Sequence, residues 1–415
     1  MPDDHSPRPT ASPDEEPAWV APLVAMLAVQ TTVSLLSRMA PTLAPALAPR
    51  LGWPAESVGY LSALITGGSI LVLLLTGPLQ RRVGSMRMLQ LGLGLGIVGT
   101  LLSALPSAAA LLLGSLLIGI SIGPPSSAGT DVLQRWSPPR RRNLLFSVKQ
   151  AGVPLGGALA GFAMPWAAQT LGIGAAFGLA AALGVATLLA TQPLRAQVDA
   201  GRDRSLRLRW SHFASVATLM RPLASMSAMP AMRRMGLAGA CLAVGQSAWF
   251  AFLVTFLVAE LAWSLTAAGA LFALMQVLSV VGRPLAGFLS DALGDTVRVL
   301  RWLAAASAAT TLAFAFCTPQ WPAAAVVALA VVAGLTVASW NGIQFAEVAR
   351  LAPPGSLNAA MAGATLLLLG AYVAWPAVFA LVLSSGGSFR LGFVLTAIGS
   401  AAALWPLRRR IESAK

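Results

Sequence analysis

The chain has 415 residues, of which 57% are hydrophobic and only 10% charged, where soluble domains run at about 25% charged. This excludes a soluble multidomain enzyme, and the apolar content excludes a disordered chain. The formal net charge is +14; in a soluble protein that would indicate nucleic acid, so its meaning depends on where the charges lie.

Residues 1–17 hold Asp3, Asp4, Asp14, Glu15 and Glu16 among prolines. They read as a disordered cytoplasmic tail, because a secretory signal needs a positive n-region. Beyond them the chain is a series of apolar runs. A hydrocarbon core about 30 Å thick takes about 20 apolar residues per helix. The runs predict helices over 18–40, 57–77, 88–106, 108–131, 144–168 and 172–192. They continue over 236–259, 265–288, 299–317, 322–347, 358–384 and 388–407. The runs are continuous rather than alternating, which favours helices over barrel strands. The one long hydrophilic break, 193–235, is a cytoplasmic linker between a first six-helix bundle (18–192) and a second (236–410). Within it, Trp210 to Met220 has the pattern of an amphipathic helix lying on the membrane surface.

The basic residues mark one side of the membrane. Arg81, Arg82 and Arg87 follow the second run, and Arg135, Arg140, Arg141 and Arg142 follow the fourth. The linker carries Arg195, Arg202, Arg204, Arg207, Arg209, Arg221, Arg233 and Arg234. Arg298, Arg301, Arg350, Arg408, Arg409 and Arg410 follow later even-numbered runs. The opposite side has Arg38, Arg50 and Arg390. Positive loops stay inside, so both termini are expected in the cytoplasm. Trp19, Trp53, Trp263, Trp302, Trp321 and Trp405 fall near run ends, as an interfacial belt does. The charge is thus a topology signal and a contact surface for anionic lipid headgroups, not a nucleic-acid footprint. All basic residues but Lys149 and Lys415 are arginine, which reads as the codon bias of a GC-rich bacterial genome. The expected location is therefore a bacterial inner membrane.

The two halves echo each other. Gly77-Pro78-Leu79 with Gly84 and Arg87 matches Gly287-Phe288-Leu289 with Gly294 and Arg298. Arg135 before Pro138-Pro139 matches Arg350 before Pro353-Pro354, and Gly152 with Pro165 matches Gly363 with Pro376. Parallel six-helix repeats are one architecture of secondary transporters, with the site between the halves at mid-membrane. The segment Gly77-Pro78-Leu79-Gln80-Arg81-Arg82-Val83-Gly84-Ser85-Met86-Arg87 resembles the loop 2–3 signature of the major facilitator superfamily, and Gly287 to Gly294 its second-half copy. The resemblance implies an all-α membrane protein of twelve transmembrane helices in two pseudo-symmetric bundles, working by alternating access. Phe146 to Gly157, which includes Lys149 and Gln150, resembles bacterial members of uncharacterised or anion-type substrate, and Ser339 to Gly342 does so more weakly. One departure stands out: Arg81 replaces the signature acid, while Asp291 keeps its second-half counterpart. The resemblance implies a lopsided latch, with Asp291 holding helix 5. The helix 5 spacing Gly152-Val153-Pro154-Leu155-Gly156-Gly157 departs from the drug–proton antiporter pattern.

Other matches are weaker. Gly94-Leu95-Gly96-Ile97-Val98-Gly99 and Gly119-Ile120-Ser121-Ile122-Gly123 imitate a dinucleotide fingerprint and a nucleophile elbow. Both lie inside apolar runs, where small residues serve helix packing. Cys241 and Cys317 have no metal-ligand spacing, and His5 and His212 sit in polar segments. No cofactor, metal or catalytic set is expected.

Ionisable groups inside the membrane are costly and therefore informative. Arg38 faces either a cavity or the outer headgroups. Lys149 either faces the cavity or snorkels to the inner interface. Gln150, Gln246, Asn341 and Gln344 place amides in apolar runs, where they face substrate or tie helices together; Gln30 and Gln276 do likewise. Trp249 and Trp340 form a cavity wall or pack. These eight residues, Arg38, Lys149, Gln150, Gln246, Trp249, Trp340, Asn341 and Gln344, are the candidate substrate site. The candidate gate comprises Arg81, Arg82, Arg87, Arg283, Asp291, Asp131, Arg135, Glu347 and Arg350. In it Arg283 pairs with Asp291 or meets substrate, and Asp131 and Glu347 pair with Arg135 and Arg350 or carry protons. Cations without a mid-depth acid point to a small organic anion, such as a carboxylate, coupled by proton symport or anion exchange. A multidrug or metabolite exporter and a solute-binding transceptor without flux are the alternatives. A monomer is expected.

Overall fold

The computed structural model describes residues 19–54, 56–138, 141–203, 205–206, 223–224, 226, 229–353 and 357–408, without the side chains of 73–78, 142–144 and 358. The tail 1–17, the segment Trp210 to Met220, and Arg140, Arg204, Arg207, Arg209, Arg221, Arg409 and Arg410 lie outside the described residues.

The first half contains α1 (Val20–Leu47), α2 (Ser57–Val83), α3 (Ser85–Ser103), α4 (Ala108–Trp136), α5 (Arg142–Thr170) and α6 (Ile173–Thr191). The second contains α7 (Pro230–Ala259), α8 (Leu265–Leu293), α9 (Thr296–Ala315), α10 (Ala323–Leu335), α11 (Asn341–Leu351), α12 (Leu357–Ser384) and α13 (Phe389–Ala401). Nine helices among the described residues are long and apolar enough to cross a membrane, and Ser57–Val72 and Ala323–Leu335 are shorter apolar stretches. Large side chains face outward: Phe162 is 73% exposed and Phe288 68%, a surface suited to lipid rather than water.

One predicted helix is broken. The span expected over 322–347 stops at Leu335 and restarts at Asn341 as α11. Thr336 and Val337 are β-branched, which weakens the helix locally. The Ser339 hydroxyl donates back to the Gly334 carbonyl at 2.7 Å. That bond competes with the helical ladder at the point where the ladder fails.

Small residues set the packing inside the first half. Gly99 and Gly114 approach each other between α3 and α4, Gly119 lies against the Ile65 carbonyl, and Gly96 against Ser121. The two motif-like glycine runs therefore serve helix contact. In the second half an aromatic core joins Trp249, Phe252, Phe256, Phe314, Phe379, Phe389 and Phe393. Its pairs include Phe252 stacked on Phe379 at 4.1 Å and Trp249 on Phe314 at 4.4 Å.

The halves meet along α5 with α8, α2 with α12, and α1 with α7. The tightest approaches lie near the end carrying the 47–57 and 259–265 connections. A Cβ at Gly161 would meet the Gly269 carbonyl oxygen at 2.6 Å and Phe272 Cδ1 at 2.9 Å. A Cβ at Gly59 would meet the Pro376 carbonyl, Phe252 Cζ at 2.7 Å and Ala380 at 2.8 Å. The halves are therefore sealed at this first end; the opposite end carries the connections after α2 and α8.

Candidate functional site

Arg38 lies on α1 three residues before Pro41, whose missing N–H leaves the Ser37 carbonyl without its helical donor. Its half-buried guanidinium sits over the Phe250 ring of α7, 4.3 Å from the centroid. It therefore stands where the two halves meet. Half-buried Tyr372 of α12 packs against both hydrophobic clusters of the molecule. It lies within electrostatic reach of both Arg38 and Arg283. Arg283 of α8 donates from Nε to the Ala338 carbonyl at 3.5 Å, in the break between α10 and α11. Gln276, also on α8, is buried; its amide faces Gly157 of α5 across the junction, and its Oε1 has no protein partner. Two cations and a phenol thus face the junction of the halves. Among the described residues neither cation has a carboxylate partner.

This corrects the expected Arg283–Asp291 pair. The two residues are eight apart on one helix, about 12 Å along its axis. Asp291 is exposed on the last turns of α8 and makes no ion pair among the described residues. Tyr372 escaped the sequence reading because a phenol inside an apolar run carries no signal of its own.

Lys149 departs from both expectations. It is 2% exposed, so it does not snorkel. Its Nζ donates to the Pro125 carbonyl at 2.6 Å, and its side chain lies beside Gly129. Both partners belong to α4, so the ammonium braces the Pro124-Pro125 stretch of that helix. No carboxylate pairs with it among the described residues. A buried, unpaired ammonium carries a desolvation cost of several kcal/mol. Lys149→Met, similar in length and uncharged, is expected to stabilise the protein by about 1–2 kcal/mol, read as a raised melting temperature. A lowered one would show that the bond to Pro125 outweighs desolvation.

The remaining candidates divide. Trp249 is fully buried in the second-half core, and its Nε1 donates to Thr311 Oγ1 at 2.9 Å. Trp340 is also fully buried, in the second cluster. Both indoles are packed inside the second half. Gln344 is buried beside Gly239, and its Nε2 donates to the Met235 carbonyl at 3.5 Å. Gln246 is buried, Asn341 half-buried and Gln150 exposed. Gln246 Oε1, Asn341 Oδ1, Gln344 Oε1 and Trp340 Nε1 lack protein partners. Each such atom costs about 1–3 kcal/mol if nothing satisfies it.

A charged cluster at the end opposite the sealed one holds gate candidates. Asp131 pairs with Arg135 and accepts from the Ser85 hydroxyl. Gln80 Nε2 donates to Ser85 Oγ at 3.1 Å, and Arg135 also donates to it, at 3.0 Å. Glu347, 2% exposed, pairs with Arg350 at 2.5 Å. Asp199, which comes just after the last turn beyond α6, was not singled out by the sequence. It is 2% exposed and accepts from the Met86 and Arg87 amides at 2.9 and 3.0 Å. It therefore caps α3 beside Arg81. Arg82 donates to the Leu206 carbonyl at 2.5 Å, and the Asp203 amide to the Arg81 carbonyl at 3.0 Å. The Ser205 hydroxyl and amide hold the Asp203 carboxyl below its usual range. Arg81, Arg135, Asp131 and Asp199 line a cavity of about 250 Å³ there.

Known proteins agree with this architecture. An uncharacterised MFS-type transporter of Mycobacterium tuberculosis (strain CDC 1551 / Oshkosh) is 28% identical over 314 residues, 73% of this chain. Its counterpart in strain H37Rv is 27% identical over the same length. The match spans 65% of the length of these curated relatives. Among solved structures, a POT family transporter in complex with 5-aminolevulinic acid is similar at a TM-score of 0.77 and 13% identity. That match covers 94% of this chain and 95% of the other. A bacterial homolog of the human lysosomal transporter Spinster, inward-facing and unoccupied, matches at a TM-score of 0.68 and 15% identity, covering 95% of each chain. The Major Facilitator Superfamily model matches residues 23–232, and the chain belongs to that superfamily of membrane transporters.

Proposed function

We propose that this protein is a secondary transporter that carries a small organic anion across a bacterial inner membrane. It alternates access between its two halves and keeps both termini in the cytoplasm. One observation carries the anion reading: Arg38 stands half-buried at the junction of the halves over the Phe250 ring, with no carboxylate partner among the described residues. A cation so placed is best satisfied by an anion. Charge-assisted hydrogen bonds are about twice as strong as neutral ones, and a low local dielectric strengthens them further. The aromatic face beneath the guanidinium holds it in position. Among the described residues the ion pairs are Asp131–Arg135, Asp295–Arg298 and Glu347–Arg350, each made within one helix or its cap, and they leave the junction cations free. Their places near helix ends support a gating role. The basic inner loops meet anionic headgroups, and coupling runs by proton symport or anion exchange.

A solute that binds only the folded state stabilises it by RT ln(1 + c/Kd), where c is the free solute concentration. The test is thermal stabilisation of the purified protein by a panel of carboxylates, amino acids, sugars and cationic dyes. Carboxylates are expected to raise the melting temperature, and Arg38→Gln to remove the effect. Stabilisation by cations or neutral solutes alone would overturn the anion reading.

A further inference from the structure

The anion reading leaves open the kind of anion. Three observations narrow it. First, the two unpaired cations come from opposite halves: Arg38 from α1 and Arg283 from α8. Second, they differ in depth, with Tyr372 between. Measured along the helices from the sealed end, Arg38 lies about 14 Å down α1, Tyr372 about 18 Å down α12 and Arg283 about 27 Å down α8. Third, donors remain free. A guanidinium has five N–H groups. Arg38 rests on a ring face, and Arg283 gives one N–H to Ala338 at 3.5 Å. Tyr372 packs against both hydrophobic clusters, one drawn from both halves and the other from residue 226 onward, and its phenol has no hydrogen bond among the described residues that would withhold it.

We infer that Arg38, Tyr372 and Arg283 form one two-armed site whose substrate is a small dicarboxylate, one carboxylate for each half. The inference rests on the organic-anion reading and deepens it. A monocarboxylate would satisfy one guanidinium and leave the other desolvated as the halves close, and an unpaired buried charge is strongly destabilising. A compact dianion carries enough charge but cannot reach groups separated along the membrane normal. A chain with a carboxylate at each end does both, and the phenol donates to whichever oxygen lies between. Because each arm sits on a different half, the bound dicarboxylate also ties the two halves to each other.

The full-length protein in detergent micelles provides the test. Straight-chain dicarboxylates of three to six carbons, monocarboxylates of matched length and inorganic sulfate are titrated against the melting temperature. At least one dicarboxylate is expected to bind about tenfold or more tightly than its matched monocarboxylate and than sulfate. Arg283→Gln is expected to remove that preference. Tyr372→Phe, which keeps the ring and its packing, is expected to weaken the dicarboxylate about three- to tenfold. If monocarboxylates or sulfate bind as tightly as dicarboxylates, or if Arg283→Gln leaves the preference intact, the two-armed site is wrong and the anion reading survives. If no anion binds, the anion reading itself fails. The melting temperature of each variant without solute shows that it is folded.

Discussion

Gly161→Leu is expected to abolish transport while leaving the protein folded and able to bind its solute. The reason lies at the sealed end. Gly161 of α5 and Gly269 of α8 approach backbone to backbone. The position of a Cβ on Gly161 is already 2.6 Å from the Gly269 oxygen and 2.9 Å from the Ala273 nitrogen. The nearest atoms are backbone, so the side chain cannot fit by rotating a neighbour. Overpacking of this kind costs about 1–3 kcal/mol in a core. Here the strain disappears once the halves separate at this end, so it acts almost wholly on the closed arrangement. About 3 kcal/mol shifts a two-state equilibrium roughly a hundredfold. Exchange of solute needs both arrangements, and holding one open stops the cycle. Flux in proteoliposomes measures the loss. Ala273→Cys, in a Cys241→Ser, Cys317→Ser background, measures the cause. Position 273 is buried against α5 here, and the new thiol is expected to react with an impermeant maleimide only in the wedged variant. Gly174→Leu is the control, since a side chain there meets nothing within 4 Å. Normal flux in Gly161→Leu would show that this contact is not part of the transport cycle.

Most of the fold was legible because the bilayer imposes a length. About 20 apolar residues per crossing place eleven of the helical spans in the sequence without any knowledge of packing. The tenth was misread for a physical reason. Thr336 to Trp340 is apolar enough to look like helix, and its break depends on a hydroxyl turning back to Gly334 and on Arg283 reaching Ala338. Hydropathy sees neither. Arg38 was legible because a cation stands out in an apolar run. Arg283 stood out equally, but its nearness in sequence to Asp291 suggested a partner that the helix places two turns away. Tyr372 gave no signal, because its role arises from two arginines contributed by other helices. Trp249 and Trp340 were legible only as two alternatives, wall or packing, since bulk in a cavity-lining helix can as well face the core, and both are fully buried.

The gate shows the same limit at longer range. Arg81 in place of the signature acid implied a weakened first-half latch. The structure supplies a carboxylate at that corner from elsewhere: Asp199, more than a hundred residues further along the chain, caps α3 next to the substituted position. No pattern at the signature itself predicts a partner from the segment after α6. The consequence is mechanical. Val198, Asp203 and Leu206 are fastened to the first half by the bonds from Asp203 and Arg82 and by Arg135 reaching the Val198 carbonyl at 3.4 Å. These parts of the linker are therefore held to the first half.

Asp199→Ala is expected to destabilise the protein by about 2–3 kcal/mol. Loss of the carboxylate removes the acceptor of two N-terminal amides, and each amide left buried and unpaired costs about 1–3 kcal/mol. Water entering the 250 Å³ cavity beside it would recover part of that cost, which keeps the total near the lower end. The carboxylate also sits at the positive end of α3, where a negative charge is favourable by about 0.3–1 kcal/mol. Asp199→Asn keeps one acceptor and loses the charge, so it is expected to cost about half as much. Gly84 ties the geometry together. Its φ of 95° is a left-handed-side value that favours glycine, and a Cβ there would run into the Asp199 carboxyl. Gly84→Ala is therefore expected to displace Asp199 and to be no worse when combined with Asp199→Ala than the two costs taken separately. Thermal melts of the two single variants and the double form a cycle that isolates this coupling. Proteolysis after Leu194 adds a second reading, because a released strap exposes Arg195 and Arg202 to trypsin. A parent-like melt and an unchanged cleavage pattern in Asp199→Ala would mean that the carboxylate holds nothing in place, and the cap would lose its claim to replace the missing acid.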